Sequence, residues 1–425
     1  MMGLILALAI SAPFMYTFDN GVELIVRYLE GTDIISCAVF VEGGVRNITE
    51  ENMGIEDVML KAMVKEAVGI DRDSVEKVLT LTGTMLETAV RYECSILSFK
   101  TLREYADLSL PLLTALIRSP SFDSSVVEEV KGECIASLSR EFEDPDEYIW
   151  RLVNRAFFEG HPYARLPSGS PETVKKFTPS MLRQHHKCVL KGKRLLVVFV
   201  GDITPDRAKE WVGKTFGDLP AGDLPAPLPD FPFKDRDTVV VEYRDIPATY
   251  IVGKFDIPSM TAKDYPAIKL GMRLLSQGMK RSIRTGAGIS YSVWAGASIW
   301  PVNYGYVYIS SALPDSAVKL FWQEVSKLEQ FPPSTKEMRG ALNVMETWDL
   351  LSMEDTRENA LDMGIYYLFY GDPDGFAKLL EVMQSLTPED VRLAMRKYLD
   401  HFTFGVLGKK GAMDIQLLYE KAITD

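Results

Sequence analysis

Apolar and polar positions recur at two different periods along this chain, and the two alternate. GVELIVRYLEG (residues 21–31) and SCAVFVEGG (36–44) are short apolar runs closed by glycine, which predicts two neighbouring strands. EENMGIEDVMLKAMVKEAV (50–68) has the helical period, and ETAVRYECSILSFK (87–100) alternates as a further pair of strands. Helical patterns follow at REYADLSLPLLTALI (103–117) and SVVEEVKGECIASLSREF (125–142). Strands followed by runs of helices favour α+β layering over a doubly wound parallel sheet.

The pattern breaks at FGDLPAGDLPAPLPDFPFKDR (216–236), where repeated proline and glycine support neither period. This stretch predicts a linker between a first domain over 1–215 and a second over 237–425. Across it the chain repeats weakly. KKFTPSMLRQHHKCVL (175–190) resembles QSLTPEDVRLAMRKYL (384–399), each with a Thr-Pro helix start, Thr178 or Thr387 being the N-cap, and each leading into an apolar run that ends in glycine, RLLVVFVG or FTFGVLG. The expectation is a duplicated α/β unit.

Composition narrows the function. With 425 residues, 47% apolar and 25% charged, the chain is globular and long enough for two cores. Lys plus Arg number 47 against 59 Asp plus Glu, and the resulting formal charge of −12 opposes nucleic acid or anionic lipid as partners. Cys37, Cys94, Cys134 and Cys188 form no C-x-x-C pair and predict buried free thiols. The apolar run from Leu4 to Ala12 reads either as a signal segment without a basic start or as a leader packed on the first domain, so a cytoplasmic location and export both stay open. No later run approaches the ~18 apolar residues of a membrane span.

VEGGVRN (41–47) ahead of a helix, a long helix ending in EDPDEY (143–148), the loop FFEGHPYARLPSGSPETVKKFT (157–178) and the strand LLVVFVGDI (195–203) come in an order that resembles the pitrilysin or insulinase family of zinc peptidases. The nearer resemblance is to its mitochondrial processing peptidase-like subfamily. It implies an α+β fold of two homologous α/β-roll domains, each a sheet packed by helices. It also implies a helix carrying H-x-x-E-H, whose i and i+4 histidines bind zinc while the glutamate acts as general base on the metal-bound water, and a downstream glutamate as further ligand.

In this chain the histidine positions hold Asp57 and Lys61, the base position holds Leu60, and the downstream position, counted from 143–145, falls at Ala136 or Ser137. Leu60 accepts no proton, Lys61 sets a cation where a dication belongs, and Asp57 alone is not a zinc site. No cofactor is therefore expected on this chain. As ordinary helix residues, Asp57 and Lys61 form a favourable i, i+4 surface pair, and Ile55, Val58, Met59 and Ala62 form the buried stripe. The four histidines, His161, His185, His186 and His401, offer no second metal set, since none are three or four apart and the adjacent pair point about 100° apart. His185, His186 and Cys188 read as ordinary helix residues, and His161 as part of an architectural loop.

The second half keeps more. In IRTGAGISYSV, Arg284 and Tyr291 resemble the arginine and tyrosine that the family's second domain turns toward the zinc site, residue types able to donate to a developing oxyanion. Read without the resemblance, Arg284 complements a helix C-terminus and Tyr291 belongs to a half-buried alternation with Ile289, Val293 and Ala295. The family's stretch before this arginine is shortened here to GMKRSIR (278–284), which makes Arg281 an alternative. A missing metal half beside a retained donor pair implies a non-catalytic subunit of a heterodimeric zinc endopeptidase, with zinc on a homologous partner and peptides or unfolded segments as substrate. A structural protein and a peptide-binding homodimer without proteolysis are the alternatives.

Overall fold

The computed structural model describes residues 12–419, so of the apolar leader only Ala12 is described. In chain order the elements are strands β1 (Phe14–Thr17), β2 (Glu23–Tyr28) and β3 (Ile34–Glu42), helices α1 (Ile55–Met63) and α2 (Arg72–Thr82), and the hairpin β4 (Met85–Val90) and β5 (Cys94–Leu102). Helices α3 (Ala106–Arg118), α4 (Ser124–Glu143), α5 (Pro145–Phe157), α6 (Pro171–Val174) and α7 (Pro179–Val189), strand β6 (Leu195–Gly201) and helix α8 (Pro205–Phe216) follow. Beyond a stretch without helix or strand come β7 (Thr238–Tyr243), β8 (Thr249–Asp256), α9 (Tyr265–Met279), a π-helical segment Lys280–Gly286, β9 (Ser290–Ala297) and β10 (Tyr304–Ser311). The chain then runs through α10 (Pro314–Gln330), α11 (Thr335–Glu354), α12 (Thr356–Tyr370), α13 (Gly375–Gln384), α14 (Pro388–Tyr398) and β11 (Thr403–Gly408).

The two sheets have the same plan. One runs β1-β2-β6-β3-β5-β4, the other β7-β11-β8-β10-β9. Apart from the extra strand β1 of the first, in each the closing strand enters the middle between a parallel and an antiparallel neighbour: β6 between β2 (parallel) and β3 (antiparallel), β11 between β7 (parallel) and β8 (antiparallel). These central strands are buried along their whole length, which accounts for the apolar runs 195–201 and 402–408, the second interrupted only by the buried Thr403. Thr178 and Thr387 both accept from the backbone three residues on, with Pro at the first helical position, so the expected caps are the observed ones. This is an α+β fold of two sheets, each packed by helices.

The two compact units are interleaved. One comprises the chain up to Leu138, Arg165–Pro227 and Leu351–Leu368, and the other Ser139–Ala164, Leu228–Leu350 and the chain from Phe369. The division at 227/228 falls within the proline-rich stretch, but the serial split into 1–215 and 237–425 omits an exchange. Helix α5, from the first half, lays Ile149 and Val153 on Val252, Tyr308 and Leu407 of the second sheet. Its counterpart α12, from the second half, lays Ala360 and Met363 on Ile25, Ala38, Phe40, Ile96 and Val198 of the first. Polar pairs fix both registers: Arg27 Nη1 donates to Asn359 at 2.8 Å and Ser36 bonds Thr356 at 2.8 Å, while Tyr148 bonds Glu242 at 2.5 Å.

Helix α1 is shorter than the pattern over 50–68 predicts. Gly54 holds φ +91° as it starts, and a side chain there would meet the Ser168 carbonyl at 2.7 Å, so the preceding residues turn instead of coiling. At the other end Ala67 bridges Ile70 and Pro120 in extended fashion, which draws the chain out of the helix.

Candidate functional site

Helix α1 is buried on almost every side. Leu60 is 2% exposed, in the apolar layer with Val58, Met59 and Met63, and Asp57 is only 7% exposed. The expected surface pair is therefore half sunk: the Asp57 carboxylate is buried, while the Lys61 side chain stays 35% exposed. Lys61 Nζ donates to Asp57 Oδ2 at 2.7 Å, and the Cys134 thiol of α4 lies 3.6 Å from both that carboxylate and that amine. Burial opposes the Lys61 charge, but Asp57 and Cys134 together raise its pKa, so the ammonium is retained. Burial first, and then the Asp57 charge, push the Cys134 thiol up to about 12, which keeps it protonated.

Ala136 and Ser137 are not the α4 residues that meet this cluster. Ala136 is exposed and Ser137 half-buried, whereas Lys131, Cys134 and Leu138 form the inward face. Counting from the break at 143–145 misses that face, and the 3.6-residue period of α4 itself gives it. The donor set of one carboxylate, one ammonium and one protonated thiol does not fit a zinc ion. Among the described residues no group of three or more His, Cys, Asp or Glu side chains is placed to hold a metal.

The adjacent histidines anchor α7. His185 Nε2 lies 3.0 Å from Glu56 Oε1, a carboxylate also held by Asn47 Nδ2 at 2.9 Å and by the Ser95 hydroxyl. His186 Nε2 donates to the Ile117 carbonyl at 2.8 Å, and burial lowers its pKa, so it stays neutral. His161 is buried among Phe158, Tyr163 and Phe231, and its Nδ1 accepts from the Tyr163 backbone at 3.2 Å. Cys37, Cys94 and Cys134 are buried, but Cys188 is exposed on the outer face of α7, contrary to the expectation for all four.

Arg284 and Tyr291 flank a pair of irregularities in the second unit. Helix α9 widens into the π-helical turn 280–286, and Arg284 stands exposed in its last turn. Strand β9 then pairs Ser290 with Ser311 and Ser292 with Ser310, leaving Tyr291 as the extra residue of a bulge. The bulge breaks the alternation that sequence suggests: Val293 is buried, but Tyr291 is turned out and 84% exposed. Arg281 lies elsewhere on the helix, 3.5 Å from Glu337. Sequence alone gives no sign of the bulge, because Ile289, Tyr291 and Val293 fit an uninterrupted strand equally well.

Residues 176–345 match the family model described as peptidase M16 inactive domain. The chain is similar to the non-peptidase homolog YmxG of Helicobacter pylori, 23% identical over 326 residues that cover 74% of this chain and 75% of that one. It is also similar to the mitochondrial-processing peptidase subunit beta of Saccharomyces cerevisiae, 20% identical over 395 residues, or 88% of this chain and 85% of the other. In fold it matches the crystal structure of a peptidase M16 inactive domain from Pseudomonas fluorescens with a TM-score of 0.85 at 16% identity, over 95% of this chain and 99% of that one. No helix among the described residues is long and apolar enough to cross a membrane.

Proposed function

We propose that the chain is a non-catalytic homologue of the M16 peptidases and serves as the substrate-holding subunit of a heterodimeric zinc endopeptidase, with the metal on a homologous partner. The observation that carries this reading is the contrast between the two sites. Where the family's zinc helix would hold its metal, Asp57, Lys61 and Cys134 satisfy one another, while Arg284 and Tyr291 are exposed by a π-turn and a bulge. Irregular elements of this kind are retained where a side chain must be aimed. A permanently charged guanidinium anchors a peptide carbonyl, and a neutral phenol donates to the same oxygen as negative charge develops on it. The substrate class is a peptide or an unfolded segment.

The test is an assay of this chain, a homologue encoding H-x-x-E-H, and their mixture on a flexible neutral peptide. Turnover in the mixture alone is expected. In the assembled pair, Tyr291→Phe and Arg284→Ala each lower kcat/KM by roughly 10²-fold or more, the scale of a lost oxyanion donor. Full activity of the isolated chain overturns the reading, as does unchanged turnover in both variants. The name borne by the Helicobacter relative favours a second reading, a peptide-binding protein without proteolysis, and binding without turnover in the mixture selects it.

A further inference from the structure

The two sheets differ at one edge. Aligned on Tyr28 opposite Gly201 and Tyr243 opposite Gly408, strand β7 takes the place of β2, with Val239 and Val241 standing where Leu24 and Val26 stand. In the first sheet that edge is filled: β1 runs antiparallel to β2 and sets Tyr16 opposite Leu24 and Phe14 opposite Val26. In the second sheet β7 is outermost, and among the described residues no strand lies beyond it. The stretch before β7 does not fold back as β1 does. Pro229 and Pro232 fall where an equivalent hairpin strand would lie, and Lys234 N is drawn away to Asp256 Oδ2 at the end of β8, at 2.7 Å.

Nothing else covers this edge. Thr238 N donates to the Phe402 carbonyl at 2.8 Å and Arg244 N to the Gly408 carbonyl at 3.0 Å, so the even-numbered residues of β7 turn their backbone groups to β11. Those of Val239, Val241 and Tyr243 point outward, and among the described residues none of them meets a hydrogen-bond partner. Val239 and Val241 are half-buried, and Tyr243 is 55% exposed. Helix α5 lies over the sheet face and not along the edge. Tyr148 reaches Glu242 as Asn359 of α12 reaches Arg27, the residue at the same place in β2, and α12 leaves room for β1. Beside the edge, Val241, Tyr243, Val406, Met413 and Ile415 line a shallow recess. An edge strand with three successive valines and no lysine, proline or bulge is a template for another strand.

We infer that β7 pairs with β7 of a second copy of this chain, antiparallel about a twofold axis at Val241, so that the two second-unit sheets become continuous. The match of residues selects a second copy as the occupant. Val241 faces its own copy where Phe14 faces Val26 in the first sheet, and Tyr243 faces Val239 where Tyr16 faces Leu24, so the aromatic and aliphatic pair recurs. About six main-chain hydrogen bonds form across the axis. The carboxylates that approach at the two ends are already engaged, since Asp237 accepts from Phe402 N at 2.7 Å and Asp245 pairs with Lys409 at 3.0 Å. A twofold contact needs one self-complementary surface, and this strand supplies it. The inference concerns the assembly of this chain with itself and does not depend on the heterodimer reading.

The full chain, with Cys188→Ser to remove its exposed thiol, is followed by sedimentation equilibrium. A dimer is expected. Val241→Pro removes an outward N–H that bonds nothing within the monomer, and it should raise the dimer dissociation constant at least about tenfold while the far-UV circular dichroism stays unchanged. Should that variant fail to fold, cysteine substitution decides the question. Val241→Cys sets two thiols on directly opposed residues with Cα atoms about 5.5 Å apart and should give a disulfide-linked dimer under mild oxidation, whereas Val239→Cys sets them about 14 Å apart and should not. A monomer at every concentration, a dimer indifferent to a folded Val241→Pro variant, no cross-link at 241, or cross-linking at 239 as readily as at 241 overturns the inference. A monomer that binds a labelled peptide of residues 13–18, and loses it on Val241→Pro, also overturns it by assigning the edge to a foreign strand.

Discussion

The polar side chains at the α1 positions that resemble a zinc motif are paired with one another. Asp57 and Lys61 occupy successive turns of one helix face and neutralise each other, while Cys134 fills the remaining direction with a weak donor and acceptor. Because Cys134 Sγ lies equally close to both side chains, the geometry is only two substitutions from a ligand set. Asp57→His with Lys61→His would place two imidazoles at i and i+4 beside a thiol, three of the four ligand positions of a tetrahedral zinc site. The double variant is expected to retain about one zinc per chain through dialysis and the unaltered chain none, as read by elemental analysis. Cys134→Ser in the double variant should release the metal. With Leu60 still in the base position, metal uptake would restore no hydrolysis.

At the level of elements, local chemistry decided what sequence could reveal. The Thr-Pro caps at 178 and 387, the apolar central strands and the alternating strand pair over 87–100 are written in short-range signals and were legible. The exchange of α5 and α12 was not, because an amphipathic period shows that a helix has an apolar stripe but not which sheet covers it. The Tyr291 bulge was hidden for a related reason, since a strand with one extra residue has the same composition as one without. The seat of α12 gives a direct test. Gly364 lies so close to Phe40 that a Cβ would come within 2.1 Å of the ring. Gly364→Ala should therefore destabilise the protein by about 1 to 3 kcal/mol, despite the better helix propensity of alanine, and lower the midpoint of chemical unfolding. A neutral or stabilising effect would mean that α12 is not seated on the first sheet.

For the molecule as a whole, the exchange makes each half incomplete. Residues up to 227 alone lack α12, leaving Ala38, Phe40, Ile96 and Val198 without their cover. Such a fragment should aggregate or bind hydrophobic dyes, and the remaining half, lacking α5, should do the same. Cleavage at a protease site inserted between residues 221 and 227 of the intact protein should instead leave both pieces migrating together on gel filtration, separating only in denaturant. Independent folding of either piece would contradict the interleaving.

The crossing of α12 also bears on how the protein is made. The first sheet is complete once residue 201 has been synthesised, yet the helix that covers one face of it ends at Tyr370. At about 5 to 20 residues per second, that face waits on the order of ten to thirty seconds on the ribosome without its lid. During that interval the nascent chain carries an uncovered apolar sheet, and a chaperone that shields such surfaces would act at this stage and not after release.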